Sequence, residues 1–128
     1  MSYTALVVED EPNIVLSLQF IMRQLGFTVR VASDGEQALK AIDEFVPDIV
    51  LLDIMLPKRD GFQVCEIIRN NPSCQRLKII MLSAKSREAD RDKAIALGAD
   101  EFMTKPFSTR TLGDLVKKLT GLPEKAGG

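Results

Sequence analysis

The stretch Ile49-Val50-Leu51-Leu52-Asp53 places a carboxylate at the end of an apolar run, which then continues as Ile54-Met55-Leu56-Pro57. Apolar runs of this length, rich in Ile, Val and Leu, are typical of strands that a parallel sheet buries on both faces. An unpaired charge in such a place is costly, because it loses its hydration without gaining a partner. We therefore expect Asp53 to belong to a site that uses its charge.

A second apolar run, Thr4-Ala5-Leu6-Val7-Val8, also ends in acidic residues, Glu9-Asp10-Glu11. If the two strands lie side by side, their ends bring three carboxylates, those of Glu9, Asp10 and Asp53, into one pocket. Two like charges about 4 Å apart repel by roughly 4 kcal/mol at an effective dielectric constant of about 20. The cluster therefore predicts a bound cation.

Short strand-like runs alternate with longer helical patterns along the chain. The strand-like runs lie near residues 4–8, 28–32, 48–52, 78–82 and 100–103. The helical patterns begin at Pro12, at Asp34-Gly35, at Asp60-Gly61, near residue 88 and near residue 108. This alternation predicts an α/β fold: a doubly wound, five-stranded parallel sheet with helices on both faces. The runs at 28–32 and 100–103 suit its edges, and the acidic strand ends fall where such sheets bind ligands.

Composition excludes several classes of protein. The 128 residues include no histidine, which removes Ser-His-Asp triads, papain-like Cys-His pairs and most zinc sites. A net charge of −1 gives no general attraction to nucleic acid or to an anionic membrane. The sequence shows neither a secretion signal nor an apolar stretch of the roughly 20 residues that a membrane helix needs. We expect a single cytoplasmic domain that binds neither nucleic acid nor membrane directly.

Two further strand-like runs end in polar groups. The fourth ends at Ser83, and the fifth is followed by Lys105. Carboxylates, a hydroxyl and an ammonium group at one edge of a sheet suit a Mg²⁺ site that handles a phosphoryl group, with a carboxylate as nucleophile. Each residue alone has a simpler explanation, since Asp53 could cap a turn and Lys105 could be an ordinary surface lysine. Their combination favours a functional site.

With these residues in place, the chain resembles the receiver domain of two-component response regulators over residues 1–121. The matching segments are Val7-Val8-Glu9-Asp10-Glu11-Pro12, the run from Asp53 to Gly61, Ser83-Ala84, and the run from Gly98 to Phe107. The resemblance implies a flavodoxin-like sheet with strand order 2-1-3-4-5. Residues 122–128 are expected to be a flexible tail or the stub of a linker.

The resemblance also implies roles for the residues at the acidic pocket. Asp53 is the expected phosphoacceptor, and Lys105 is expected to pair with the phosphoryl oxygens. The expected cofactor is Mg²⁺, held by Asp10, Asp53 and the Met55 backbone carbonyl, with Glu9 acting directly or through water. The Lys105–Pro106 peptide bond is expected to be cis.

The resemblance also implies that two residues switch the domain between an inactive and an active conformation. Ser83 is expected to donate a hydrogen bond to the phosphoryl group, and Phe102 occupies the aromatic position that changes rotamer on activation. The result is a population shift that changes the surface formed by helix 4, strand 5 and helix 5. The mixed charges of this surface favour plain solvated side chains, but they leave open a phosphorylation-dependent homodimer or an effector contact.

Met55 and Lys85 occupy the positions that flank the path of the hydrolytic water in this family. Neither side chain is a carboxylate or amide that could orient this water, and Met55 could shield the acyl phosphate. The sequence therefore predicts slow self-dephosphorylation. Met55 is also grouped with Met22, Met81 and Met103 as residues expected mostly to fill the core.

The phosphoryl donor in this family is a phosphohistidine, which a chain without histidine cannot supply. The expected partner is a histidine kinase or a histidine phosphotransfer protein, and a small acyl phosphate could also serve as donor. Two alternatives remain: a pseudo-receiver that is never phosphorylated and acts as a scaffold, and an aspartyl-phosphate phosphatase. The phosphatase class places a second Asp two residues after its nucleophile, where this chain has Met55. We therefore expect a domain that catalyses its own phosphorylation and dephosphorylation, not a turnover enzyme.

Overall fold

The structure is a computed structural model that covers residues 3–85 and 87–121. Within these residues, five strands and five helices alternate. The strands are β1 (Tyr3–Val8), β2 (Phe27–Ala32), β3 (Ile49–Asp53), β4 (Lys78–Ser83) and β5 (Glu101–Thr104). The helices are α1 (Pro12–Gln24), α2 (Gly35–Glu44), α3 (Gly61–Arg69), α4 (Glu88–Ala96) and α5 (Thr109–Thr120), and a 3₁₀ turn, Pro72–Cys74, precedes β4.

The strands form one parallel sheet in the order β2-β1-β3-β4-β5. This order confirms the predicted fold, with β2 and β5 at the edges as expected. The predicted strand bounds agree with the structure to within one residue at each end, which is the ordinary uncertainty of such bounds. Every residue of β3 is buried, including Asp53.

The sheet has an apolar layer on each face, because successive side chains of a strand point to opposite faces. Val50 and Leu52 of β3 belong to one layer, together with Ile42 of α2. Leu51 belongs to the other layer, together with Leu18 of α1. The central strands are thus held rigidly from both sides, and their carboxyl ends are fixed in space.

Short polar side chains start the helices where the sequence indicates. Asp34 accepts a hydrogen bond from the Gln37 N–H, and Asp60 caps α3 in the same way in a reciprocal capping box with Gln63. Such caps satisfy N–H groups that the first turn of a helix leaves unpaired, and each typically contributes about 1 kcal/mol. The caps of α2 and α3 also fix two helix starts beside the segment that follows β3.

Helix α4 is attached more weakly than the others. Ala94 is its one buried residue, and its N-cap residue, Arg87, makes no capping hydrogen bond through its side chain. Its C-terminal end is better held, because the Gly98 carbonyl that follows accepts a hydrogen bond from Arg69 Nε at 2.9 Å. The two ends of α4 are therefore anchored unequally.

The expectation of a flexible tail concerns residues 122–128, which lie outside the described residues. Among the residues that the structure describes, no helix is both long enough and apolar enough to cross a membrane.

Candidate functional site

The strand register brings the sequence-predicted residues to one edge of the sheet. Val8 pairs with Leu52, so the residues that follow them, Glu9 and Asp53, lie side by side at the carboxyl ends of β1 and β3. Ser83 ends β4, which pairs with β3 on its other side. The Lys105 N–H donates a hydrogen bond to the Ser83 carbonyl at 2.7 Å, which brings the end of β5 to the same edge.

Three carboxylates meet at this edge, as predicted. One carboxylate oxygen from each of Glu9, Asp10 and Asp53 lies within 4.8 Å of the other two. Glu9 is 1% exposed and Asp53 is 4% exposed, whereas Asp10 lies at the surface. A cluster of oxygen ligands with one solvent-facing side fits a hard divalent cation such as Mg²⁺, which keeps part of its water shell.

Lys105 supplies the positive charge of the pocket. Its Nζ lies 2.6 Å from Glu9 Oε1 and 3.2 Å from Asp53 Oδ1, so one ammonium group bridges the two buried carboxylates. The Lys105 side chain is largely buried, and its peptide bond to Pro106 is cis, as the resemblance implies. One ammonium leaves the three-carboxylate cluster with a net negative charge, which a further cation would offset.

Burial and this charge imbalance together shift the pKa values of Asp53 and Lys105. Burial raises the pKa of Asp53 from 3.8 to about 6, the nearby Glu9 charge adds to the rise, and Lys105 opposes it. Burial alone would lower the pKa of Lys105, but its hydrogen bonds and charge attraction to Glu9 and Asp53 outweigh burial and raise it. The lysine therefore stays protonated, while Asp53 carries its charge at a cost.

The chain itself engages both oxygens of Glu9. Oε1 accepts from Lys105 Nζ, and Oε2 accepts from the backbone N–H groups of Asp10 and Glu11, each at 3.1 Å. Among the described residues, no donor makes a hydrogen bond to the Asp10 carboxylate. The two acids at the end of β1 thus differ, since Glu9 is held inside the pocket and Asp10 is free to bind something outside it.

Ser83 is oriented at the pocket rim. It is 5% exposed, and its Oγ accepts a hydrogen bond from the Lys85 backbone N–H at 3.1 Å. Because a hydroxyl can accept and donate at the same time, the Ser83 proton remains available for another acceptor. The Lys85 side chain is exposed.

Met55 and Phe102 contrast in their burial. Met55 is 74% exposed, so the expectation that it fills the core is wrong, whereas Met22 and Met81 are fully buried. The chain turns away from the sheet directly after Asp53, which carries the Met55 side chain to the surface. Phe102 is 7% exposed and packs in the core, so its expected rotamer change, which stays a prediction, starts from a mostly buried ring.

The sequence does not indicate the neighbours of the loop that follows Asp53. Asp34-Gly35 predicts only a helix start, but the structure places this pair against Lys58 and Arg59. No local pattern predicts a contact between residues so far apart in the chain.

An apolar groove of about 560 Å³ also opens beside the pocket, lined by Ile14, Ser17, Ile21, Ala84, Lys105, Pro106, Phe107 and Thr109.

Comparison with known sequences identifies relatives of the chain. A family model described as the response regulator receiver domain matches residues 5–117. The alkaline phosphatase synthesis transcriptional regulatory protein PhoP of Bacillus subtilis (strain 168) is 46% identical over 121 residues, which is 93% of this chain and 49% of that protein. The chain therefore spans about half the length of this relative.

Solved structures of related proteins have the same fold as this chain. A putative response regulator from Chloroflexus aurantiacus J-10-fl superposes with a TM-score of 0.90 at 31% identity, covering 94% of this chain and 99% of that one. The receiver domain of the sensor histidine kinase PA1611 from Pseudomonas aeruginosa PAO1 has a TM-score of 0.86 at 29% identity, with the same coverage of 94% and 99%. That receiver domain has a magnesium ion coordinated in its active-site cleft.

Proposed function

The chain belongs to the response regulator receiver domain family, and from this premise we propose that it accepts a phosphoryl group on Asp53 in a two-component phosphorelay. The observation that carries the proposal is the Lys105 ammonium, which lies 3.2 Å from Asp53 Oδ1 inside a cluster of three carboxylates. A buried nucleophile beside a fixed cation is the arrangement that phosphoryl transfer to a carboxylate requires.

The transfer follows from this arrangement. An Asp53 carboxylate oxygen attacks the phosphorus of a partner's phosphohistidine and forms a P–O bond. The P–N bond breaks, and its electron pair returns to the imidazole nitrogen. Lys105 pairs with the phosphoryl oxygens, and the Ser83 hydroxyl donates a hydrogen bond to one of them. Both groups are held in place by the ends of β4 and β5 before the donor arrives.

The residues present fit a Mg²⁺ ion. Asp10, Asp53 and the Met55 backbone carbonyl would hold it, and Glu9 would act through water because Lys105 and two backbone N–H groups already engage its oxygens. When bound, Mg²⁺ offsets the charge of the carboxylates and of the phosphoryl oxygens. The magnesium ion in the cleft of the PA1611 receiver domain supports this assignment.

Phosphorylation would then act through charge. A phosphoryl group adds about −1.5 to −2 charge at Asp53 and draws the Ser83 hydroxyl toward it. Ser83 pairs with Thr104 in the sheet, so a shift of β4 reaches β5 and the packing of Phe102. The proposed output is a change in the surface of α4, β5 and α5, read in the cytoplasm by a second copy of the chain or by an effector.

Two rival functions make different demands on the pocket. A pseudo-receiver scaffold has no need of a lysine that bridges two buried acids, and this chain has one. An aspartyl-phosphate phosphatase needs a general acid two residues after the nucleophile, where Met55 stands. We therefore propose a self-phosphorylating and self-dephosphorylating signalling domain that is not a turnover enzyme.

The central test is incubation of the domain with acetyl phosphate and Mg²⁺, followed by intact mass spectrometry. We expect one phosphoryl adduct on the parent protein and none on Asp53→Ala. Asp43→Ala, which removes an exposed acid on α2, should still be labelled. A parent that gains no adduct, or an adduct that survives Asp53→Ala, would overturn the proposed function.

The lifetime of the adduct gives a second prediction. We expect Met55→Asn to shorten the half-life of the phosphorylated domain about tenfold, because an amide that orients the attacking water through one hydrogen bond contributes about 1.4 kcal/mol to the transition state. The half-life is measured by following loss of the adduct after excess acetyl phosphate is removed. Ile67→Asn, an equivalent change at an exposed position on α3, is the control. Equal half-lives for Met55→Asn and the parent would contradict this explanation.

A further inference from the structure

The loop between β3 and α3, residues 54–60, has a backbone that its own sequence does not favour. Lys58 has a φ of +69°, in the left-handed region, where the β-carbon of an L-residue comes too close to the following carbonyl oxygen. The loop contains Met55, whose carbonyl the proposed function assigns to the metal. Because a strained conformation persists only where its surroundings hold it, the contacts around this loop decide its shape.

One wall of the loop is the first turn of α2. The Gly35 N–H donates a hydrogen bond to the Pro57 carbonyl at 3.3 Å, and that carbonyl also accepts from the Arg59 N–H at 2.8 Å. Two ion pairs flank this contact: Lys58 Nζ lies 3.6 Å from Asp34 Oδ2, and Arg59 Nε lies 2.5 Å from Glu36 Oε1. The lysine and arginine side chains are exposed, so these pairs contribute little energy and the backbone contact matters more.

Glycine at position 35 permits this contact by its lack of a side chain. A β-carbon there would lie 2.5 Å from the Arg59 carbonyl oxygen and 2.6 Å from the Arg59 Cβ, well inside van der Waals contact. The φ of Gly35 is not positive, so an alanine would suit the helical backbone and only the space excludes it. The start of α3 also packs closely against the beginning of the loop, because a β-carbon on Gly61 would overlap the Asp53 carbonyl oxygen.

We infer that Gly35 is a positioning residue for the metal and phosphoryl site: it lets the first turn of α2 press against residues 57–59 and so fixes the loop that presents the Met55 carbonyl next to Asp53. This inference rests on the proposed function. It adds α2 to the parts of the chain that set the affinity for Mg²⁺, although the described residues of α2 supply no ligand to the pocket.

The test compares two glycine-to-alanine variants in the metal-free domain. Gly35→Ala must displace the Arg59 backbone, and we expect it to raise the Mg²⁺ dissociation constant at least tenfold, the usual effect of losing a group that orients a metal ligand. Gly113→Ala, in the middle of α5, meets no atom within 4 Å and should leave the dissociation constant unchanged. Titration calorimetry with MgCl₂ measures both constants without any phosphorylation.

A measurement on the unsubstituted domain covers the case in which Gly35→Ala does not fold. In an NMR titration with MgCl₂, the Gly35 and Met55 amide resonances should move with the same dissociation constant, while that of Gly113 should stay still. A Gly35 amide resonance that does not shift with MgCl₂ would overturn the inference. A Gly35→Ala variant with a lowered Tm and an unchanged Mg²⁺ dissociation constant would overturn it as well. Either result leaves the proposed function intact, because that proposal fails only if acetyl phosphate does not label Asp53.

Discussion

Replacing Lys105 by methionine is expected to lower the free energy of unfolding of the metal-free domain by about 3 kcal/mol near neutral pH. The ammonium of Lys105 touches both Glu9 and Asp53, which are 1% and 4% exposed. Methionine fills a similar volume but leaves two buried carboxylates facing one another without a cation. Removing one partner of a buried ion pair is costly because the other charge stays behind, desolvated and uncompensated.

Urea unfolding in the presence of EDTA measures this loss, with Lys40→Met as the control because Lys40 is exposed on α2. Adding Mg²⁺ should restore part of the stability of Lys105→Met, since a bound cation offsets the same carboxylates. The variant should also react with acetyl phosphate about 10²-fold more slowly, the usual cost of losing one group that stabilises charge in a transition state. Equal losses of stability for the Lys105 and Lys40 variants would show that the pocket does not depend on the ammonium.

Asp53→Asn is expected to change stability in the opposite direction. The pKa of Asp53 is raised from 3.8 to about 6, chiefly by burial and then by Glu9, so its charged form is disfavoured in the folded state. Each pKa unit corresponds to about 1.4 kcal/mol, so the neutral amide should stabilise the metal-free domain by about 2–3 kcal/mol above neutral pH. Under the proposed function this cost is required, because only the charged carboxylate can act as the nucleophile.

The pH dependence of this gain has a definite sign. The carboxyl ionises near pH 3.8 in the unfolded chain and near pH 6 in the folded one. The stability contributed by its protonated form is therefore complete below 3.8 and is lost as the pH rises through about 6. Asp53→Asn should match the parent near pH 4 and exceed it increasingly up to about pH 7. Unfolding curves in EDTA across this range test the prediction, with Asp43→Asn as an exposed control. A difference independent of pH would contradict it.

The core of the site could be predicted because its residues violate local rules. A carboxylate at the end of the apolar run Ile49–Leu52 is costly to bury unless it is paired, and the acids after β1 repeat this pattern. Parallel strands put their carboxyl ends at one edge, which places Glu9 and Asp53 at the same edge. That their strands are neighbours follows from the strand order that the resemblance implies. Ser83 and Lys105 followed by the same argument.

Features that depend on side-chain direction or on distant contacts could not be predicted in this way. Composition predicts a core position for Met55 because it does not show that the chain leaves the sheet directly after Asp53, whereas the Met55 side chain is 74% exposed. The contact of Gly35 with Arg59 depends on how two helices start beside one strand. A glycine after an aspartate in the sequence indicates a helix start whether or not anything presses against it.

The unequal anchoring of α4 has a consequence for how cheaply the domain can change its shape. With Ala94 as its single buried residue and no capping hydrogen bond from the Arg87 side chain, the first turns of α4 can come apart and re-form at little cost in free energy. The hydrogen bond from Arg69 to Gly98 keeps the far end in register while this happens. A chemical event worth only a few kcal/mol at Asp53 therefore need not work against the whole core, because the helix on the proposed output face is already the least costly one to rearrange.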